Sequence, residues 1–123
     1  MDLYNEIILD HYHNPHHATA LTTFTHTTTV HNPLCGDMLK LDISIKNGII
    51  ADIGFTGNGC AISQAAMSLL ADAVIGKKIT AVKKFNQAHI YKLLGIPISP
   101  GRSKCALLGL HALQNNLSTY EKK

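Results

Sequence analysis

Three cysteines, Cys35, Cys60 and Cys105, stand 25 and 45 residues apart in a chain of 123 residues. None lies inside an apolar periodic segment. Cys35 falls in Asn32-Pro33-Leu34-Cys35-Gly36-Asp37, Cys60 follows Gly57-Asn58-Gly59, and Cys105 comes just after Ser103 in the first turn of a helical pattern. Glycines beside a cysteine let the backbone approach a ligand closely. A helix N-terminus favours the thiolate, which is the form that binds metal or attacks sulfur. Asp37, two residues after Cys35, adds a hard oxygen donor, and three thiolates with one carboxylate complete a tetrahedral set. There is no C-x-x-C pair, so spacing alone leaves two readings open: a metal or cluster site, or three buried and inert cysteines.

The remaining reactive side chains are less specific. Lys104 precedes Cys105; its ammonium is not a metal ligand, but it can stabilise a thiolate or persulfide beside it, or be a solvated surface lysine. Arg102 is a possible ion-pair partner for Asp37 by charge type. The segment His11-Tyr12-His13-Asn14-Pro15-His16-His17 holds four of the eight histidines. His13, His16 and His17 lie on or near a proline turn and read as solvent-exposed; the sharper alternative is a second metal site, since imidazoles bind zinc and nickel. His26, His31, His89 and His111 read as packing or surface residues. A stand-alone Cys/His hydrolase would need a cysteine beside a histidine and an oxyanion hole, and no nucleophile motif is present.

Composition narrows the partners. Hydrophobic residues make up 46% and charged residues 15%, which supports a buried core in a single domain over residues 1–123. Eleven Lys and Arg against eight Asp and Glu give a net charge of +3, too weak and scattered for nucleic acid or an anionic membrane surface. No apolar run reaches the length of about 18 residues that a membrane-spanning helix needs. The opening MDLYNEIILD has no basic leader region, and three is an odd cysteine count. Together these predict reduced thiols in a cytoplasmic chain.

The elements that must position these residues follow from periodicity. Leu3 with Ile7 and Tyr4 with Ile8 predict a helix over 3–12, ended by Asn14-Pro15. The Thr-rich stretch 23–31 favours a strand. Leu39, Leu41, Ile43 and Ile45 alternate with polar residues, as do Ile49, Ala51, Ile53 and Phe55 after Asn47-Gly48, predicting a hairpin. A three-residue loop, 46–48, pairs 45 with 49 and puts all eight apolar side chains on one face. Residues 61–75 read as a helix with Ile62, Ala65, Ala66, Leu69 and Ala73 as its stripe and Gly76 as its stop. Short helices follow over 80–85 and 87–94, then a loop over 95–101. A last helix starts near Ser103 and carries Ala106, Leu110, Leu113 and Leu117 on one stripe. The order predicts an α+β fold: a small three-stranded antiparallel sheet packed against several helices.

Taken in order, Tyr4-x-x-Ile7-x-x-x-His11, Asn14-Pro15, Asn32-Pro-x-Cys35-Gly-Asp37, Gly59-Cys60-Ala-Ile-Ser63 and Lys104-Cys105-Ala-Leu-Leu108 resemble the IscU/NifU/SufU family of iron–sulfur cluster assembly proteins, over nearly the whole chain. The resemblance implies that Cys35, Asp37, Cys60 and Cys105 converge at one exposed end and bind zinc, iron or a transient [2Fe–2S] cluster. It implies sulfur supply from a pyridoxal-phosphate cysteine desulfurase, with Cys35 and Cys105 as candidate persulfide acceptors and Lys104 beside them, and delivery to downstream iron–sulfur apoproteins or carriers. The cysteine motifs look like the SufU branch, in which Lys104 stands where IscU proteins carry histidine. The 45-residue gap lacks the insertion usual in SufU and is IscU-like. The Leu-Pro-Pro-Val-Lys chaperone-docking motif of IscU is absent, so the resemblance does not extend to chaperone recognition. Two activities follow: a cluster-assembly scaffold, or a zinc-dependent sulfur relay that activates the desulfurase without building a cluster.

Overall fold

A computed structural model of the chain describes residues 3–32, 37–95, 98 and 103–121. Helix α1 (Leu3–His13) leads into three strands, β1 (His26–Asn32), β2 (Asp37–Lys46) and β3 (Ile49–Asn58). Four helices follow: α2 (Ala61–Val74), α3 (Ile79–Val82), α4 (Gln87–Leu94) and α5 (Ser103–Glu121). The sheet is antiparallel in the order β1-β2-β3, so consecutive strands are neighbours and need only short connections. Helices α2 and α5 pack on each other and on the sheet, and α1 and α4 lie against α2. The α+β expectation holds, element by element.

The hairpin register differs from the expected one. Lys46 pairs with Ile49 and Ile45 with Ile50, so the loop is the two-residue Asn47-Gly48. Both residues have positive φ, 55° and 74°, the requirement of a tight primed turn whose twist matches the strands. A two-residue loop alone would put β3 out of phase with β2. A bulge at Ser44/Ile45 absorbs the extra residue, Ala51, and restores the pairs Ile43–Ile53 and Leu41–Phe55. Ile50, fully buried, therefore takes the core place expected of Ile49, which is 37% exposed.

Leu39, Leu41, Ile43, Ile50, Ile53 and Phe55 face Ala66, Leu70, Leu113 and Leu117 of the helices in one core cluster. The α5 stripe is buried as expected. Helix α2 buries more of its circumference than one stripe: Ala65, Met67, Leu70, Ala71 and Val74 are buried, while Ile62 and Leu69 are only partly so. It is the central helix, covered from several sides, and single-stripe logic describes a helix covered from one. The polar face of the sheet holds a further departure. Asp42 is 2% exposed; its carboxylate accepts from the Leu21 peptide N–H at 3.2 Å and the Thr27 hydroxyl at 2.7 Å. The segment after α1 thus folds across that face, and the Phe55 N–H donates to the His17 carbonyl at 3.0 Å. Asn116 on α5 is fully buried and donates to the Leu41 carbonyl at 3.2 Å, pinning the helix to the middle strand.

Candidate metal centre

Three of the four residues expected at a metal site meet at one end of the fold. Asp37 is the first residue of β2, Cys60 directly precedes α2, and Cys105 is the third residue of α5. Sequence separations of 23 and 45 residues are closed by tertiary packing alone, with a carboxylate oxygen of Asp37 and the sulfurs of Cys60 and Cys105 all within 4.8 Å of one another. Thiolates about 2.3 Å from a tetrahedral zinc ion sit about 3.8 Å apart, so the cluster is near the dimensions an ion requires. Cys60 and Cys105 form no disulfide.

Local chemistry prepares each donor. Cys60 caps α2 with extended backbone, φ −76° and ψ 172°. Burial pushes its thiol up, but the N–H groups of Ser63 and Ile62, the Ser63 hydroxyl and the Cys105 thiol turn toward the sulfur and bring it below the ordinary thiol value. These N–H groups approach too loosely to make a side-chain cap; they act as the positive end of the helix, which favours a thiolate. Cys105 is 8% exposed and Asp37 7%. One oxygen of Asp37, Oδ2, is buried without a hydrogen-bond partner among the described residues. An unpartnered buried carboxylate oxygen is costly, and a cation is the partner that removes the cost. The donor set of soft thiolates and one hard oxygen fits zinc or iron.

Gly57 sets how closely β3, the strand leading to Cys60, approaches β2. Its φ is 148°, and a Cβ there would lie 2.1 Å from the Met38 carbonyl oxygen. Gly57→Ala is expected to destabilise the fold by about 1–3 kcal/mol, the range for overpacking against a fixed neighbour, and to weaken metal binding with it. A thermal melt of the metal-free protein checks the first effect; an unchanged midpoint would show that β2 and β3 yield freely here.

The structure does not bring every expected residue to the site. Lys104 is exposed on α5. Cys35 and Arg102 lie outside the described residues. His31 and His111 are exposed, and His89 serves α4 instead: its ring accepts from the Asn86 N–H at 3.1 Å in a capping box. Ser63, absent from the expected set, is 5% exposed and bonds the Cys60 carbonyl at 3.1 Å. Its signal was present in the sequence as a hydroxyl three residues after a capping position.

The family described as the NifU-like N-terminal domain matches residues 3–123. The chain belongs to this family. It is 32% identical over 136 aligned positions to the zinc-dependent sulfurtransferase SufU of Bacillus subtilis (strain 168), covering 97% of this chain and 92% of that one. Since 136 positions exceed the 123 residues here, at least 13 residues of the Bacillus protein have no counterpart. The chain is 34% identical over 131 positions to the iron–sulfur cluster assembly scaffold protein IscU of Streptococcus pyogenes serotype M1, covering 91% and 80%. A crystal structure of a nitrogen-fixing NifU-like protein (N-terminal) from Brucella abortus superposes with a TM-score of 0.78 at 23% identity, covering 98% of this chain and 96% of that one; it shares the fold. Among the described residues of this NifU-like chain no helix is long and apolar enough to cross a membrane.

Proposed function

We propose that the chain is an iron–sulfur cluster assembly protein, which accepts sulfur from a cysteine desulfurase and holds iron, zinc or a transient [2Fe–2S] cluster through Cys35, Asp37, Cys60 and Cys105. The observation that carries this reading is the convergence of Asp37, Cys60 and Cys105 around an unpartnered buried carboxylate oxygen. Cys35, two residues before Asp37 in the chain, has a covalent reach of at most about 7 Å from it and supplies the fourth donor.

Each residue then has a role. A thiolate of Cys35 or Cys105 attacks the outer sulfur of the desulfurase persulfide. A new sulfur–sulfur bond forms, the old one breaks, and the desulfurase cysteine leaves as a thiolate. No net oxidation occurs in that transfer; turning the carried sulfur into the sulfide of a cluster takes electrons from an external reductant. Lys104, exposed beside Cys105, offsets the charge of the persulfide. Bound zinc would hold the thiolates in place between transfers. Iron and sulfide are cargo here, and the acceptors are apoproteins or carriers that take the finished cluster, in the cytoplasm.

A second reading, a zinc-dependent sulfur relay that activates the desulfurase and builds no cluster, is favoured by the exposed Lys104 before Cys105 and by the relationship to SufU. Anaerobic incubation with ferrous iron, a cysteine desulfurase, cysteine and a thiol reductant separates the two. A visible sulfide-to-iron charge-transfer spectrum is expected for the scaffold. Retained zinc with faster desulfurase turnover and no such spectrum would establish the relay instead.

A further inference from the structure

A second convergence of donor atoms lies away from the cysteines, between the end of α1, the turn after it and the far half of α2. His11, 8% exposed, holds the Ser68 hydroxyl through Nδ1 at 2.6 Å. The His16 peptide N–H donates to the same hydroxyl at 2.8 Å. His16 Nδ1 then meets one oxygen of Asp72 at 2.5 Å, and His17 Nε2 meets the other at 3.0 Å. The rings of His11 and His16 are 4.5 Å apart and tilted by 52°. One donor atom each from His11, His16 and Asp72 lies within 4.8 Å of the other two.

We propose that His11, His16 and Asp72 form a second binding site for a borderline divalent cation such as zinc, separate from the cysteine centre. Two imidazoles and a carboxylate are a donor set that selects zinc, nickel or copper over magnesium or calcium. Bond lengths of about 2.0–2.1 Å to a tetrahedral ion require donors about 3.3 Å apart. His16 Nδ1 and Asp72, at 2.5 Å, are closer than that, and both side chains have room to part: they are 48% and 40% exposed. His11 is the fixed member. With Nδ1 engaged by Ser68, its Nε2 is the nitrogen left for an ion, and an oxygen on the other ring nitrogen is the usual support of a metal-bound histidine. Burial, then the proximity of His16, hold the His11 imidazole below its ordinary range against the opposite pull of Asp72 and Asp10. His17, on the second carboxylate oxygen, orients Asp72. Three protein donors leave a fourth position for water.

The two centres are distinct along α2. Asp72 lies twelve residues beyond Cys60, about 18 Å at 1.5 Å per helical residue, and no cysteine takes part in the second. Metal-free protein titrated with zinc chloride is therefore expected to bind two equivalents, and His16→Ala and Asp72→Asn one each. The double variant Cys60→Ser/Cys105→Ser is expected to keep one equivalent, lost on adding Asp72→Asn. Zinc stoichiometry unchanged by both His16→Ala and Asp72→Asn overturns the proposal. So does a cysteine double variant that binds no zinc. These results are independent of whether the cysteine centre assembles clusters. A readout without substitutions guards against misfolding: substoichiometric nickel should selectively broaden the ring resonances of His11 and His16 and spare His89 and His111. Uniform broadening, or none, overturns it.

Discussion

Replacing Cys60 by serine is expected to lower the affinity for zinc or ferrous iron by more than about 100-fold, beyond the loss that removing a supporting residue of a metal site causes. The hydroxyl has nearly the shape of the thiol but is not ionised at neutral pH, so the protein loses a charged soft donor and keeps its packing. Cys60 sits where the first turn of α2 favours the anion, and serine cannot use that field. Cys105→Ser should act in the same direction, since its sulfur shares the cluster. Competition titration with a chromogenic chelator measures both, with the circular dichroism spectrum as the control for folding. Retention of metal at unchanged affinity in either variant would remove that residue from the centre.

The second large effect is of opposite sign. Asp37→Ala is expected to lengthen the lifetime of a bound cluster, on the order of tenfold, equivalent to about 1.4 kcal/mol in the barrier to release. The carboxylate is the hardest and weakest donor to iron in the set. In the proposed cluster it would be the ligand to leave first, opening a coordination position to an acceptor. It also adds a negative charge to a half-buried group of thiolates. Alanine removes both routes to loss, as well as the unpartnered Oδ2. Decay of the visible spectrum under anaerobic transfer to a chelator is the measurement; a lifetime equal to or shorter than that of the unsubstituted protein would mean that Asp37 holds the cluster rather than releases it.

Local patterns read most of this fold. Among the described residues the five helices and three strands lie close to where periodicity and turn residues place them, although α2 is covered from more than one side. The misses have two causes: the preference of a turn for its own geometry, and environments set by segments distant in sequence. Ile49 and Ile50 exchange places because an Asn-Gly pair prefers its own tight turn and a bulge can repair the phase. Asp42 reads as a solvated strand residue until the segment 17–21 folds over it. His13 and His16 are exposed, as read, but nothing in the local pattern says that Asp72, more than fifty residues on, will face His16 and His17.

The cysteine centre was legible in a different way. Gaps of 25 and 45 residues carry no geometric signal, and the glycines and helix starts only raise the odds of a site. The ordered motifs around Cys35, Cys60 and Cys105, which resemble those of a family, are what tied distant residues together. Convergence of Asp37, Cys60 and Cys105 agrees with that reading. The Ser63 hydroxyl, three residues after Cys60, was readable as a local partner; the Asp37 oxygen left unpartnered among the described residues was not, since it depends on how the start of β2 packs.

Because the donors at this end come from three elements, β2, α2 and α5, whatever ion they hold acts as a staple across the tertiary structure. Occupancy then adds to folding stability by mass action, about 2.7 kcal/mol at a free concentration 100 times the dissociation constant. Emptying the site is expected to loosen the starts of β2, α2 and α5 together. An ion bound here would therefore be expected to raise the melting temperature of the chain as well as fill the site.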